Sequence, residues 1–129
     1  MLPFAIELKP GLPVAEQILF AVKRAVVAGQ LRPGDRFPSV RALSQELKIN
    51  PNTAHKVVAQ LVHEGVLLTT PAVGSVVAEP AVGGKRERAE LLGGDLEHLV
   101  VEARKLGLQL DDVQAALAAH WKKLGGDLR

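Results

Sequence analysis

Apolar residues recur every three or four positions through the middle of the chain, and this spacing predicts two short amphipathic helices between Pro38 and Gly65. The apolar positions are Val40, Leu43 and Leu47 in the first helix, and Ala54, Val57, Val58, Leu61 and Val62 in the second. Lys48 and Ile49 fall between these stretches and form a tight corner. The pattern is that of two helices joined by a turn.

Capping residues mark the ends of both helices. Ser39 is placed to cap the first. Asn50 caps the second, with Pro51 at the first helical position, where the missing N–H of proline costs nothing. Gly65 accepts the left-handed backbone that ends a helix. The polar residues of the second helix lie outside its apolar stripe; they are Asn52, Thr53, His55, Lys56 and Gln60. Together these features indicate a helix-turn-helix.

The chain before this unit predicts a leader, a further helix and a turn. Residues 1–12 show little periodicity and form the leader. Residues 13–28 form a helix that ends at Gly29. The apolar face of this helix consists of Val14, Ile18, Val22, Ala25 and Val26. Pro33 followed by Gly34 predicts a type II turn between this helix and the next.

The pattern changes to short β-prone runs after the second helix of the unit. The runs are residues 66–70 and 74–78, and Pro71, Ala72 and Val73 join them, so a small hairpin is predicted. Three helices followed at once by a hairpin predict a winged helix-turn-helix. The expected fold class is mainly α with a small β-hairpin wing.

A helical tail is predicted beyond a glycine-containing linker, which divides the chain into domains at residues 1–79 and 80–129. The first tail helix covers residues 85–106, with a weak point at Gly93-Gly94. The second covers residues 112–124 and is capped by Asp111.

The tail carries more apolar surface than two helices of this size can bury alone. In the first helix a narrow seam with 4-3-4-3 spacing consists of Leu92, Leu96, Leu99, Ala103 and Leu106. In the second helix one face consists of Val113, Leu117, Trp121 and Leu124. Either the tail folds back onto the winged helix, or it pairs with the same helices of a second copy. The few polar interruptions and the glycine linker favour pairing, so we predict a homodimer with a two-helix dimerisation tail.

Composition limits the remaining possibilities. The 129 residues are 47% apolar, contain no cysteine and hold no apolar run of the ~20 residues needed to span a bilayer. We therefore expect a cytoplasmic protein with no membrane partner. Residues 1–78 carry eight Lys/Arg against five acids, and residues 79–129 carry eight against nine. The basic excess lies in the half that contains the two-helix unit.

The order of motifs between Pro13 and Ala78 resembles the DNA-binding domain of the GntR family of bacterial transcription regulators. The matching stretches are Gln17-Ile18, residues 29–43 (GQLRPGDRFPSVRAL), Asn52-Thr53, residues 61–67 (LVHEGVL) and residues 74–77 (GSVV). The short helical tail and the Asn-Pro-Asn-Thr sequence are similar to the YtrA-like subfamily, whose members have a compact dimerisation tail. The resemblance implies a sequence-specific regulator, most often a repressor, that binds double-stranded DNA at an inverted-repeat operator.

The resemblance also implies which residues contact DNA. They are Ser39, Arg41, Asn50, Asn52, Thr53, His55, Lys56 and Gly74. The wing of family members reaches the minor groove, commonly through a polar or basic residue followed by glycine. Here the tip is Pro71-Ala72, which departs from that pattern, and Pro51 stands where family members often have arginine.

Other classes of function have weaker support. No glycine-rich phosphate loop or nucleophile elbow is present, and the four histidines are scattered, so no enzyme activity, cofactor or metal is predicted. His98 and Glu102 lie four residues apart, but two ligands without a third do not make a metal site. A winged-helix module for protein interaction and a non-specific nucleic-acid-binding protein remain as alternatives. A small-molecule effector would bind at the dimer interface or in the groove between the tail and the winged helix, because the tail leaves little room for an enclosed pocket.

Overall fold

The computed structural model describes residues 2–79 and 84–125, and the chain forms two compact units, Met1–Pro80 and Ala81–Arg129. The first unit contains α1 (Val14–Val27), α2 (Val40–Leu47), α3 (Pro51–His63), β1 (Leu67–Thr70) and β2 (Gly74–Val77). The second contains α4 (Lys85–Glu90), a π-helical turn (Leu91–Asp95), α5 (Leu96–Lys105) and α6 (Leu110–Gly125). The fold is mainly helical with a two-stranded wing.

The predicted caps of the helix-turn-helix are present. The Ser39 hydroxyl oxygen accepts the Ala42 N–H at 3.0 Å, and the Asn50 side-chain oxygen accepts the Asn52 N–H at 2.7 Å. Lys48 ends α2 in the left-handed conformation, with φ 55° and ψ 50°. The predicted boundaries of both helices are therefore confirmed, since each is set by hydrogen bonds within a few residues.

The core of the first unit is built from the predicted apolar stripes. Its most deeply buried side chains are Ile18, Val22, Leu31, Leu43, Val57, Leu61, Leu67 and Val77. They come from all three helices, the loop after α1 and both strands, so the core joins every element of the winged helix. Full burial of one such side chain stabilises the fold by about 1.5–3 kcal/mol. This burial determines which side of α3 faces the core and which side faces the solvent.

The wing is an antiparallel hairpin with Leu67 opposite Val77 and Thr70 opposite Gly74. A third segment lies along the other edge of β2, where the Phe37 N–H donates to the Ser75 carbonyl at 2.9 Å. The predicted turn leads into this segment. The Asp35 N–H donates to the Arg32 carbonyl at 2.9 Å, and Gly34 has φ +91°, as a type II turn requires.

The leader does not match its prediction, because it packs onto the core. Its apolar residues alternate along the chain and lie against the core, namely Leu2, Phe4, Ile6 and Leu8. Phe4 is only 6% exposed and stacks on Phe37, with ring centroids 5.8 Å apart and planes 3° apart. The Gln17 amide holds the end of the segment through the Lys9 N–H (2.8 Å), the Lys9 carbonyl (2.9 Å) and the Leu12 carbonyl (3.1 Å). We call residues 2–12 the N-terminal strap.

The tail begins with one helical run from Lys85 to Lys105 that contains the π-helical turn at Leu91–Asp95. This turn includes the predicted weak point, Gly93-Gly94, and π-helical turns of this kind interrupt the regular spacing of side chains. The predicted seam of apolar residues from Leu92 to Leu106 therefore does not form one straight stripe along the helix.

The start of α6 differs from the prediction. The helix begins at Leu110, so Asp111 lies inside it and is not the cap. Instead the Asp112 carboxylate reaches back and accepts the Gln109 N–H at 2.8 Å. An acidic residue at the third helical position can accept the backbone N–H of the residue before the helix, which is half of a capping box. The other half, a capping side chain before the helix, is not needed for this hydrogen bond.

Few side chains of the tail are buried within the chain. Ala103 is 6% exposed and Val113 is half-buried, and both lie near the corner where α5 leads into α6. Farther along α6, Leu117 is 53% exposed and Trp121 is 67% exposed. The other large apolar side chains exposed in the tail are Leu91, Leu92, Leu96, Leu99, Val100, Val101, Leu106, Leu108 and Leu110. No helix in the described ranges, 2–79 and 84–125, is long and apolar enough to cross a bilayer.

Candidate nucleic-acid interface

The front of α3 presents a polar surface because the opposite side of the helix is buried. Ala54, Val57 and Leu61 are buried in the core. The residues predicted to contact DNA lie on the other side: Asn50, Asn52, His55 and Lys56 are exposed, and Thr53 is half-buried. The amphipathic stripe therefore determines which side chains are available at the surface.

The first turn of α3 favours an anion. Pro51 has no N–H and Asn50 caps the Asn52 N–H, so Thr53 supplies the backbone N–H of this turn that faces out of the helix end. The aligned peptide dipoles give this end a partial positive charge. Asn50 uses its side-chain oxygen to cap the Asn52 N–H, so this oxygen is committed within the protein while the amide NH₂ stays a potential donor. A phosphate group beside this turn would meet the helix dipole and the Thr53 hydroxyl.

α2 contributes a cation beside its own first turn. Arg41 is the second residue of α2 and is exposed. The Ser39 oxygen is occupied as the cap, but its hydroxyl proton can still be donated to a phosphate oxygen. Guanidinium geometry allows Arg41 to bind a phosphate or the O6 and N7 atoms of guanine in a bidentate manner.

A shallow groove joins α3 to the wing. It has a volume of about 300 Å³ and is lined by Val40, His55, Val58, Ala59, Val62 and Thr69. The groove lies where α2, α3 and β1 meet, and His55 is one of its two polar side chains. The sequence pattern did not predict this juxtaposition, because residues 55 and 69 belong to elements that only the tertiary fold brings together.

The wing carries no charged side chain between Glu64 and Glu79. At its tip the Val73 N–H donates to the Thr70 carbonyl at 3.2 Å, and Ala72 adopts φ +68°. Gly74 follows with φ +95° at the start of β2, and it is exposed. Contacts from this wing to DNA would therefore be made by backbone groups, apolar atoms and the hydroxyls of Thr69, Thr70 and Ser75, not by ion pairs.

An ion pair fixes the far end of α3. Lys23 on α1 pairs with Glu64, and the Gln60 amide donates to the other Glu64 carboxylate oxygen at 2.7 Å. Together these interactions hold the pKa of Glu64 below its ordinary value of 4.5, and the interaction with Lys23 is the larger cause. Gln60 is thus directed toward the helix end, which agrees with its exclusion from the predicted contact residues.

No cluster of three or more potential metal ligands occurs in the part of the chain that the structure describes. His98 and Glu102 both lie on α5, as predicted, but they are not part of such a cluster. Apart from the Lys23, Gln60 and Glu64 group, the exposed polar residues predicted to bind DNA lie at the starts of α2 and α3. This is an arrangement for binding a polyanion along a surface.

The comparison with known proteins agrees with this geometry. The model of the family described as bacterial regulatory proteins, gntR family, matches residues 14–77. The chain is 32% identical over 129 residues to the HTH-type transcriptional repressor YtrA of Bacillus subtilis (strain 168), with 96% of this chain and 93% of that protein covered. The chain belongs to the GntR family. This GntR-family protein is accordingly a winged helix-turn-helix transcription regulator that binds DNA, and its similarity to YtrA continues through the tail.

Further relatives share the same architecture. The GntR-family chain is 30% identical to the uncharacterized HTH-type transcriptional regulator YhcF of Bacillus subtilis (strain 168), with 79% of this chain and 81% of that protein covered. Its fold matches a solved transcriptional antiterminator from Listeria monocytogenes EGD-e with a TM-score of 0.83, at 26% identity and with 98% and 96% of the two chains covered. A GntR family transcriptional regulator from Listeria monocytogenes matches with a TM-score of 0.63, also at 26% identity, with 87% and 98% covered.

Proposed function

We propose that this protein is a repressor that binds an inverted-repeat operator as a homodimer, with the front of α3 from each copy in the major groove. The observation that carries this proposal is the exposed polar front of α3, held outward by the buried Ala54, Val57 and Leu61. A major groove about 12 Å wide admits a helix, and only side chains on the exposed side reach base edges. The names of the relatives, YtrA above all, support repression as the sign of regulation.

Three side chains read sequence in this proposal. Arg41 recognises guanine through O6 and N7, Asn52 recognises adenine through N6 and N7, and His55 donates to a base acceptor. Each good bidentate pair contributes about 1–3 kcal/mol of discrimination against a wrong base. All three side chains are on the surface formed by the starts of α2 and α3.

The remaining predicted contacts hold the phosphate backbone. Lys56 supplies a charge, Thr53 and Ser39 supply hydroxyl donors, and Gly74 allows the wing backbone to approach closely. Contacts of this kind set register and orientation without reading sequence. Asn50 acts mainly as the helix cap, so its replacement would disturb the position of the others.

Residues 80–129 form the dimerisation domain in this proposal, and residues 1–79 form the DNA-binding domain. The support is the apolar surface that the tail leaves exposed, on α5 at Leu96 and Leu99 and on α6 at Leu117 and Trp121. The predicted dimerisation residues also include six aliphatic side chains larger than alanine: Leu92, Leu96, Leu99, Leu106, Val113 and Leu117. At roughly 60–120 Å² each, together with Trp121 at about 150–250 Å², full coverage would bury at most roughly 500–1,000 Å² per copy, a range that includes the ~800 Å² per partner of a standard interface.

The corner of the tail offers a place for side chains of a partner copy. An open cleft of about 470 Å³ lies between α5 and the start of α6. Its lining consists of Val100, Ala103, Arg104, Gly107, Leu108, Gln109, Leu110 and Val113. Side chains from the partner's tail fill this cleft in the proposed dimer. Ala103 is already buried within its own chain, at 6% exposed, so among the predicted dimerisation residues it contributes least to the interface.

The proposed operator follows from this symmetry. Two α3 helices related by a two-fold axis require half-sites about 34–36 Å apart, or a multiple of this distance. The tail would set which multiple applies. A small-molecule effector, if the protein responds to one, would act by changing this separation at the dimer interface. The site of action is the cytoplasm, where bacterial DNA is accessible.

Selection of bound sequences from a random DNA pool tests the proposal. Recovery of a two-fold symmetric site, bound at least ~10³-fold more tightly than unrelated duplex, would support it. Equal affinity for all duplexes would indicate non-specific nucleic-acid binding. Absence of any DNA binding at moderate salt would instead indicate a protein-interaction module, and either of these results would overturn the proposal.

A further inference from the structure

The corner of the helix-turn-helix contains an unusual backbone conformation. Lys48 has φ 55° and ψ 50° and is exposed. Among the described residues, only Lys48 and Ala72 combine a positive φ with a side chain other than glycine. One lies at the corner before α3 and the other at the wing tip, and both are loops beside the proposed DNA-binding surface.

The ends of other helices in the same chain provide an internal comparison. The left-handed residue after α1 is Gly29, after α3 it is Gly65, and after α5 it is Gly107. Glycine is the usual choice because a Cβ crowds the following carbonyl in this conformation. At the end of α2 the same role falls to a lysine, whose N–H donates to the Ser44 carbonyl as the cap geometry requires. The backbone does not need lysine here.

Strained backbone conformations persist where the surrounding structure holds them, and they cluster at functional sites. Lys48 lies two residues before Asn50, so its Cα is at most about 7.6 Å from that of Asn50, the cap of α3. A lysine side chain is long enough to reach past the end of the helix from that distance. In the proposed docking, the start of α3 enters the major groove, and the phosphates that border the groove lie beside the corner.

We propose that Lys48 is a phosphate-binding residue whose ammonium contacts the DNA backbone at the edge of the major groove. Lys48 is not among the residues predicted to contact DNA, of which Asn50 is the nearest to it in sequence. The contact rests on the proposed function, because it requires α3 to enter the groove. The side chain contributes affinity and salt dependence, and it does not read sequence.

Lys48→Gly separates the structural effect from the binding effect. Removing the Cβ relieves the strained backbone, so the melting temperature should rise by about 2–5 °C. In the proposed dimer each copy loses one phosphate contact, so Lys48→Gly should weaken operator binding roughly 25- to 100-fold at ~0.1 M salt, and should reduce the slope of log K against log salt by about 1.8. Greater stability combined with weaker binding is not the result of a damaged fold.

Two variants complete the test. Lys48→Arg keeps the charge in the same strained position and should retain the salt slope of the natural protein. Arg24→Ala removes one exposed charge from α1 and should leave the slope unchanged, which excludes an effect of net charge alone. Titrations by fluorescence anisotropy at several salt concentrations supply all of these values.

The inference is overturned if Lys48→Gly binds the operator with the affinity and salt slope of the natural protein, or if Lys48→Arg loses both. These outcomes leave operator binding by the natural protein intact. If the natural protein itself does not recognise an operator, the proposed function is wrong, and this result is distinct from the two outcomes above.

Discussion

The N-terminal strap leads to a stability prediction that can be worked from the structure. In Phe4→Ala, the strap loses the ring that is 6% exposed and stacked on Phe37. Truncation of a buried phenylalanine costs about 3–5 kcal/mol. The strap lies at the edge of the core and can shift to cover the space, so we expect the lower end, about 3 kcal/mol. For the ~80-residue unit, that corresponds to a fall in melting temperature of roughly 12–24 °C.

Phe20→Ala is the matched control. Phe20 carries the same side chain on α1 but is 63% exposed, and its ring contacts the Arg24 guanidinium at 5.7 Å. Loss of an exposed cation–π contact costs about 0.5–1 kcal/mol. Urea unfolding followed by circular dichroism, at one fixed protein concentration, measures both variants. If Phe4→Ala costs no more than Phe20→Ala, the strap is not part of the core and this reasoning fails.

Three further predictions concern the site, the tail and pH. Arg41→Ala should weaken operator binding by about 2–6 kcal/mol, since the dimer loses one contact of about 1–3 kcal/mol in each copy, without changing the melting temperature; full-strength binding in a mobility-shift assay would remove Arg41 from the interface. Leu117→Asp combined with Trp121→Asp should give monomers in sedimentation velocity and much weaker binding to a two-fold symmetric site, and an unchanged dimer would contradict the role of the tail. Glu64→Gln should reduce stability at pH 7 by less than about 1 kcal/mol, because the pair with Lys23 is partly exposed. The pKa of Glu64 is lowered by folding, so its contribution is present above pH 4.5 and is lost as the pH falls through the folded pKa; a difference between the two proteins that persists at pH 2 would refute this assignment.

The helix-turn-helix was predictable from sequence because its boundaries depend on local hydrogen bonds. The Ser39 and Asn50 caps each join residues two or three positions apart, and the Pro33-Gly34 turn closes within four residues. Residue type at each of these positions has a direct steric or hydrogen-bonding consequence. The polar front of α3 follows in the same way from the spacing of its apolar residues.

Other features were missed because the decisive partner is distant in sequence or the local signal was overlooked. The leader shows little helical periodicity, but Leu2, Phe4, Ile6 and Leu8 alternate within it, and their burial depends on partners such as Phe37, more than thirty residues away. At α6 the sequence predicts Asp111 as the cap, whereas Asp112 makes the hydrogen bond from inside the helix. In this case two adjacent aspartates left the sequence signal ambiguous by one residue.

The sequence alone determined the order of the elements, the capping of α2 and α3 and the family of the protein, because these rest on residue types at fixed short spacings. The tertiary structure decided how the N-terminal strap is buried, how His55 and Thr69 come to share a groove, and which apolar residues of the tail stay exposed. These features depend on packing between segments far apart in the chain. Hydrophobic burial has no fixed direction or spacing, so its partners become known only when the whole chain is folded.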